Sequence, residues 1–170
     1  MEMVSRCRLA LLAAGVALAA CNPASTPPPG PDVLIGAWRS QVHATSGAFT
    51  EMKGFEFMYV FNAGGTMTES SNFDSVPPAP PAYGIWRKTG AREFEAKYAF
   101  YITKPPGSFA EIAKGGGWEP SGYGVLTEKI TVAEHGKSYS SMLAYKLFDA
   151  AGNETEGGGE ASAAGSRIEF

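Results

Sequence analysis

Apolar and polar residues alternate with a period of two through most of the chain beyond residue 33, and this pattern constrains the fold more than any other feature. In the clearest segment, Glu93–Thr103, one face carries Phe94, Ala96, Tyr98, Phe100 and Ile102. Successive side chains of a β-strand point to opposite faces, so this segment is predicted to be an antiparallel strand with one buried face. A helical period is confined to the short stretch Ser108–Lys114.

Further strands are predicted from the same alternation at Leu34–Ala44, Phe55–Phe61, Thr66–Ser71, Tyr83–Lys88, Gly124–Val132, Ser138–Phe148 and, more weakly, Gly157–Ile168. Turns that contain glycine separate most of them, which is typical of hairpins. About eight such strands predict an all-β, antiparallel up-and-down barrel, because closure removes the exposed edges of an open sheet. A two-sheet sandwich is the alternative, but it needs long connections, and only 72–82 and 105–121 are long.

The N-terminal residues have the pattern of an export signal. Arg6 and Arg8 precede an apolar run, Leu9–Ala20, that is shorter than the roughly 20 residues needed to cross a bilayer. The next segment, Asn22–Pro31, is rich in proline and has little to bury, which is typical of an extended tether. We therefore expect a signal peptide over residues 1–20, a linker over 21–32 and a barrel domain over 33–170.

The sequence Leu18-Ala19-Ala20-Cys21 resembles the lipobox of bacterial lipoproteins. The resemblance implies cleavage before Cys21 and attachment of acyl chains such as palmitate, which would anchor the protein to a membrane. Asn22 stands where an Asp would signal retention at the inner membrane, so the outer membrane is the expected location in a host that has one. An ordinary secretory signal peptide is the alternative.

Charge and cysteine content exclude several kinds of partner. The chain has 14 Lys and Arg against 17 Asp and Glu, with no clustered basic stretch, so nucleic acid is not expected to bind. Of the 2 cysteines, Cys7 lies in the signal peptide and Cys21 carries the lipid, which leaves no thiol for a disulfide. The 2 histidines, His43 and His135, have no carboxylate at metal-binding spacing, so neither a metal nor a cofactor is expected.

Gly36-Ala37-Trp38, at the start of the first strand, resembles the Gly-x-Trp signature of lipocalins and related calycin barrels. Arg167 is similar to the basic residue that stacks on that tryptophan in the same families. The resemblance implies a lipocalin-like barrel whose floor is closed by Gly36, Trp38 and Arg167. A cation over an indole face contributes about 0.5 to 2 kcal/mol.

Aromatic residues of the predicted barrel interior are the candidate ligand contacts. They are Trp38, Tyr59, Tyr98, Phe100 and Tyr145. Aromatic side chains at strand spacing also build a filled core, which is the alternative interpretation. The small residues of Gly157–Gly165 leave one wall thin, so either a ligand or facing aromatic side chains must fill the space.

Three classes of function are compatible with these patterns. The first is a membrane-anchored envelope lipoprotein whose barrel binds a small apolar ligand. The second is a solid-core module that contacts an envelope protein through its long loops, with Trp118 as the contact residue. The third is a barrel isomerase or hydrolase that uses Glu56, Glu128 and Tyr98. Both glutamates are expected on the outer face instead, so no catalytic residue is assigned and an enzyme is the least favoured class.

Overall fold

The computed structural model describes residues 32–73, 79–114 and 117–170. Its strands are β1 (Gly36–Ala44), β2 (Phe55–Phe61), β3 (Thr66–Ser71), β4 (Ala82–Lys88), β5 (Glu93–Lys104), β6 (Glu119–Val132), β7 (Ser138–Asp149) and β8 (Glu154–Arg167). A short helix, α1 (Phe109–Ala113), lies between β5 and β6. The expected signal peptide, Cys21 and the linker up to residue 31 lie outside the described residues.

The strands form a closed antiparallel barrel. Each strand pairs with the next one in the sequence, and β1 also pairs with β8. The prediction of an all-β, eight-stranded up-and-down barrel is therefore confirmed, and the sandwich is excluded. The helix α1 lies within the stretch predicted for it, with the Ser108 side chain accepting a hydrogen bond from the Glu111 amide at its start.

Two strands begin three or more residues earlier than the sequence pattern predicts. β6 begins at Glu119 and β8 at Glu154, where apolar residues no longer alternate. The pairing of β5 with β6 shifts register just after Ile102, and that of β7 with β8 shifts just after Tyr145. Such a shift changes the phase of the side chains, so the period-two pattern ends before the backbone pairing does.

The aromatic face of β2 lies inside the barrel. Its buried residues are Phe55, Phe57, Tyr59 and Phe61. Neighbouring rings contact each other along the strand, with centroids 4.8 Å apart for Phe55 and Phe57 and 5.4 Å apart for Tyr59 and Phe61. These rings therefore line one side of the interior along the whole length of β2.

Facing aromatic side chains fill the space that the small residues of β8 leave. The ring of Tyr139 lies against Gly165, where a Cβ would overlap it. The Tyr139 hydroxyl lies 2.5 Å from Ser40 Oγ, and its ring contacts Trp38 with centroids 5.1 Å apart. The thin wall is thus occupied by the protein itself over this part of the barrel.

One end of the barrel, here called the floor, is closed by Trp38 and Arg167. The two residues are opposite each other in the pairing of β1 with β8, and the guanidinium carbon lies 4.2 Å from the centroid of the buried indole ring. Arg167 also donates to the carbonyls of Ile35 at 2.7 Å and Gly136 at 2.9 Å. Trp38 Nε1 donates to the Leu34 carbonyl at 2.8 Å, so both side chains are held by hydrogen bonds.

Gly36 allows the guanidinium to approach the floor. Its φ is +129°, and a Cβ there would lie 2.7 Å from Arg167 Nη1. Any other residue would be strained in this conformation and would displace the arginine. The structure therefore brings Gly36, Trp38 and Arg167 together at the junction of β1 and β8.

The opposite end of the barrel, here called the mouth, carries the long connections. Consecutive hairpins alternate between the two ends, so the β1–β2, β3–β4, β5–β6 and β7–β8 connections all lie at the mouth. The described chain begins at the floor, where Lys88 Nζ lies 2.7 Å from Asp32 Oδ1. The start of the domain and the mouth are therefore at opposite ends of the barrel.

Replacement of Arg167 by methionine should lower the free energy of unfolding by about 2 kcal/mol, because both the cation–π contact and the charged hydrogen bonds are lost. The measurement is urea unfolding followed by tryptophan fluorescence. Arg87→Met is the matched control, since Arg87 is 76% exposed and pairs only with the surface carboxylate of Glu95. The control should change stability by less than about 0.5 kcal/mol. Equal losses in both variants would contradict the closing role of Arg167.

Candidate functional site

A small cavity of about 80 Å³ lies inside the mouth. Its walls are mainly aromatic, formed by Phe49, Phe55, Phe57, Phe73, Phe100 and Tyr145. Glu69 and Ser71 of β3 contribute polar atoms, and the remaining apolar lining comes from Val42, Ala44, Leu126, Leu143 and Ala161. An apolar pocket with a few polar groups is the usual form of a small-molecule site, although drug-sized ligands need roughly 300 to 1,000 Å³.

The β1–β2 loop is held over the cavity by Tyr145. The tyrosine hydroxyl donates to the Ser46 carbonyl at 2.8 Å and accepts from the Phe49 amide at 3.4 Å. Its ring also contacts the Phe49 ring, with centroids 5.1 Å apart. Gly47 in the same loop has a φ of +86°, and a Cβ there would overlap the Tyr145 hydroxyl. Tyr145 thus forms a wall of the cavity and holds the loop that covers it.

Phe100 is positioned by a glycine on the neighbouring strand. It is paired with Gly124 in the register of β5 and β6, and a Cβ on that glycine would overlap its ring. The missing side chain allows the Phe100 ring to lie against the β6 backbone, where it lines the cavity.

A layer of buried polar side chains lies one inward position closer to the floor than the cavity lining. On the inner face of each strand, the next residue toward the floor is a polar one. It is Tyr59 after Phe57, Tyr98 after Phe100 and Glu128 after Leu126. The hydroxyls of Tyr59 and Tyr98 are 3.1 Å apart, and Tyr98 donates to Glu128 Oε2 at 3.1 Å. These side chains therefore form a hydrogen-bonded chain across the barrel.

Burial is the main cause of the pKa shifts of the side chains in this layer. It raises the pKa of Glu128, while the hydroxyls of Ser141, Tyr98 and Tyr59 oppose the rise. Burial, followed by the negative charge of Glu128, raises the pKa of Tyr59 and of Tyr98 well above the usual value. Ser141 lies beside Glu128, yet Glu128 Oε1 and Ser141 Oγ have no hydrogen bond of good geometry to any described residue. The layer thus favours neutral side chains.

The prediction that Glu128 lies on the outer face is wrong. Only 1% of it is exposed, because it is in phase with Leu126 and Ile130, which both point inward. Glu56 does lie outside, where Arg39 donates to its two oxygens at 2.8 Å each and holds its carboxyl pKa below the usual value. The structure therefore brings Tyr98 to Glu128 and leaves Glu56 on the opposite side of the barrel wall.

The candidate ligand contacts divide into two groups. Phe100 and Tyr145 line the cavity, whereas Trp38, Tyr59 and Tyr98 are buried closer to the floor and do not line it. Phe49, Phe73 and Glu69 also line the cavity and were not among the predicted contacts. Glu69 was detectable, because it is in phase with the inward Met67 of β3, but the two phenylalanines lie outside any alternating segment.

The other candidate residues lie on the surface. Trp118 is 40% exposed in the β5–β6 connection. His43 points outward from β1, and His135 lies in the β6–β7 turn, where its Nδ1 accepts from the Lys137 amide at 3.0 Å. Among the described residues, no group of three or more His, Cys, Asp or Glu side chains could hold a metal ion.

A wider concavity of about 540 Å³ lies on the outer surface of β4 to β7. Ile85 and Met142 project into it, with 64% and 57% of their surfaces exposed, and the ion pair of Arg87 with Glu95 borders it. A small molecule bound there would remain largely hydrated. The enclosed cavity at the mouth is therefore the better candidate for a small-molecule site.

Comparison with known proteins assigns this chain to no family. No family model matches the chain, and no curated protein matches it. Within the part of the chain that the structure describes, no helix is long and apolar enough to cross a membrane.

Replacement of Glu128 by glutamine should change how stability depends on pH. Because burial raises the pKa of Glu128 above its usual value of 4.5, the folded protein keeps a proton that the unfolded chain has already released. The stabilisation is complete below the usual pKa and is lost as the pH rises through the raised one, by up to about 1.4 kcal/mol per pH unit. Glutamine does not titrate, so the stability of the Glu128→Gln variant does not fall in this way as the pH rises.

Urea unfolding over roughly pH 4 to 8 measures the difference between the wild type and Glu128→Gln. Glu56→Gln is the control, because the depressed pKa of Glu56 gives the opposite sign: its stabilisation is present above the usual pKa and is lost on acidification. Parallel pH profiles for the wild type and Glu128→Gln would show that Glu128 keeps an ordinary pKa in the folded protein.

Proposed function

We propose that this protein is an exported, lipid-anchored envelope protein with a lipocalin-like barrel that binds a small apolar ligand at its mouth. The observation that carries the proposal is the cavity enclosed by Phe49, Phe57, Phe100 and Tyr145 at the open end of the barrel. Closer to the floor, buried aromatic rings pack against one another, so the cavity is where an apolar group could enter without displacing them.

The size of the cavity limits the ligand. A volume of about 80 Å³ accommodates one small group, such as a short alkyl chain. A longer ligand can place one end in the cavity and extend outward between the mouth loops, of which 72–81 and 105–118 are long. Ring faces and edges of several phenylalanines would contact the inserted group.

The anchor is supported by the lipobox-like sequence Leu18-Ala19-Ala20-Cys21. Acyl chains bind a bilayer with about 0.8 kcal/mol per buried CH₂, so an acylated cysteine needs no basic surface to hold the protein on a membrane. The first described residues of the barrel domain lie at the floor, at the opposite end from the mouth.

A second candidate function is an interaction module, favoured by the exposed apolar side chains of the β5–β6 connection. Phe109, Ile112 and Trp118 are 83%, 49% and 40% exposed, and none of the residues of α1 is buried. Apolar side chains exposed together on a long loop are typical of a protein contact. An envelope protein is the expected partner in that case.

An enzymatic function has weaker support. Tyr98 and Glu128 make a hydrogen bond, but only 1% of each is exposed and neither lines the cavity. A substrate in the mouth would therefore not contact them without a rearrangement of the residues between, and an acid–base mechanism needs that contact.

Replacement of Ala161 by leucine should abolish ligand binding, because the larger side chain fills the cavity that Ala161 lines. The measurement is native mass spectrometry of protein purified from an envelope fraction, followed by solvent extraction. Wild type should release an apolar molecule on denaturation, and Ala161→Leu should not. Ala164→Leu is the control, since Ala164 points outward from the same strand. Retention of the molecule by Ala161→Leu, or its absence from wild type, would favour the interaction module.

Replacement of Cys21 by alanine should release the protein from membranes, because the atom that carries the acyl chains is removed. Membrane fractionation and metabolic labelling with a fatty acid measure the effect. Cys7→Ala is the control, since Cys7 lies in the segment that is expected to be removed. Continued labelling of the Cys21→Ala variant would disprove the lipoprotein assignment.

A further inference from the structure

The outer face of β5, β6 and β7 changes in character from the floor to the mouth. Near the floor it carries charged residues, such as Glu95 and Lys129, which are opposite each other in the pairing of β5 with β6. Near the mouth, Tyr101 is opposite Tyr123, and Tyr123 is opposite Phe148. The rings of Tyr123 and Phe148 are stacked with centroids 4.9 Å apart, and Tyr101 is 66% exposed. These three side chains form a row across three strands, here called the aromatic row.

The aromatic row lies on the outer face because the residues next to it face inward. Phe100 lines the mouth cavity, and Leu147 packs against the buried core. Gly124 also faces inward, since a Cβ there would overlap the Phe100 ring. Successive side chains of a strand point to opposite faces, so the members of the row point outward. Near the mouth, these strands therefore carry apolar side chains on both faces.

The β5–β6 connection extends this apolar surface beyond the strands. The connection is closed by the pairing of Lys104 with Glu119, whose side chains form an ion pair of 2.8 Å. Phe109, Ile112 and Trp118 lie between these two residues and are exposed. Single apolar side chains are normal on a protein surface, but a group at one end of the same strands marks an interaction site. The aromatic row and these three residues are here called the mouth patch.

We propose that the mouth patch contacts the surface of a phospholipid bilayer. This inference rests on the proposed lipid anchor, and it concerns residues outside the mouth cavity. Tryptophan and tyrosine are enriched at the level of the lipid headgroups, because their rings are apolar and their N–H or O–H groups can stay hydrated. The mouth patch combines one tryptophan and two tyrosines with apolar side chains, which is the composition that suits this depth.

Charged side chains beside the mouth patch are paired with one another. Lys104 pairs with Glu119 at the end of the strands, and Lys146, two residues before Phe148, pairs with Glu154 at 2.8 Å. Each pair contributes little net field, although the whole chain has a net charge of -3. Attraction by anionic lipid depends on unpaired basic residues, so the apolar side chains should carry the contact and a zwitterionic bilayer should suffice.

The place where the described chain begins allows this contact. Asp32 forms its ion pair with Lys88 at the floor end of β4, and Lys88 is opposite Phe94 of β5. The distance along β5 from Phe94 to Tyr101 is about 23 Å, at roughly 3.3 Å per residue. Residues 21–31 can span about 34 Å at roughly 3.1 Å per residue. Acyl chains at the start of that segment can therefore enter the same bilayer that the mouth patch contacts.

Tryptophan fluorescence tests this inference, with the acylated protein purified from an envelope fraction and placed in phosphatidylcholine vesicles. The lipid carries bromine on its acyl chains near the headgroups, and vesicles without bromine are the blank. Bromine quenches a tryptophan only at close range, and Trp38 and Trp86 are buried inside the barrel. Bromine should therefore lower the emission by up to about a third, the share of one tryptophan in three. Trp118→Phe should abolish the quenching, since the quenched group is removed and an apolar contact is kept.

A pair of aspartates within the mouth patch should weaken the contact. Tyr101→Asp combined with Phe109→Asp should lower the quenching at least about twofold, because a carboxylate is unfavourable among acyl chains. Met58→Asp is the matched control, since Met58 is 55% exposed on β2, which lies opposite β6 in the closed barrel. It should leave the quenching unchanged. Flotation of the vesicles in a density gradient shows that each variant stays attached, and near-ultraviolet circular dichroism shows that it is folded.

The remaining outcomes separate this inference from the lipid anchor. Wild-type protein that floats with the vesicles but is not quenched would overturn the bilayer contact, leave the anchor in place and favour a protein partner for the mouth patch. Equal quenching in wild type and Trp118→Phe, or an equal decrease in Met58→Asp and the double variant, would also overturn it. Wild-type protein that does not float with the vesicles would overturn the anchor and this inference together.

Discussion

The pairing of β1 with β8 is the constraint on which the rest of the structure depends. These strands are farthest apart in the sequence, so their pairing closes the longest loop and carries the largest entropic cost. Without it, both would be exposed edges with unpaired backbone groups. Arg167 strengthens the junction, because one guanidinium contacts the Trp38 ring and the carbonyls of residues 33, 35 and 136. Closure at the floor then sets the register that points each aromatic face inward.

The buried polar layer lowers the stability of the closed barrel. A carboxyl group such as that of Glu128 is costly to bury, and the hydroxyls of Tyr98 and Ser141 only partly replace water around it. An apolar side chain of similar volume would pack there without this cost. The layer also divides the interior, since aromatic rings fill the barrel from the floor up to Tyr59 and Tyr98, and the cavity begins above them. The cavity is therefore confined to the part of the interior near the mouth.

The strands and their order could be predicted from the sequence because side-chain alternation and glycine turns are local signals. The site was less predictable. Glu128 keeps the phase of Leu126 and Ile130, and it was placed outside because charged residues seldom lie in a core, so a general preference outweighed the local pattern. Phe49 lies in a loop, and its position depends on a hydrogen bond to Tyr145, which is distant in the sequence. Contacts of that kind leave no periodic signal.

The two ends of the barrel differ because their connections differ. Short turns and the Arg167 side chain close the floor, whereas longer connections lie at the mouth, where contacts with Tyr145 and with the β8 backbone hold the β1–β2 loop. The hydrogen bond from Tyr145 to the Ser46 carbonyl holds the β1–β2 loop across the cavity, and the glycine at position 47 leaves room for that hydroxyl. Under the proposed function, a ligand group that is too wide for the cavity would have to displace this loop and break the bond. The loop contact therefore limits the width of a group that the cavity could hold. The strands determine which side chains form its walls.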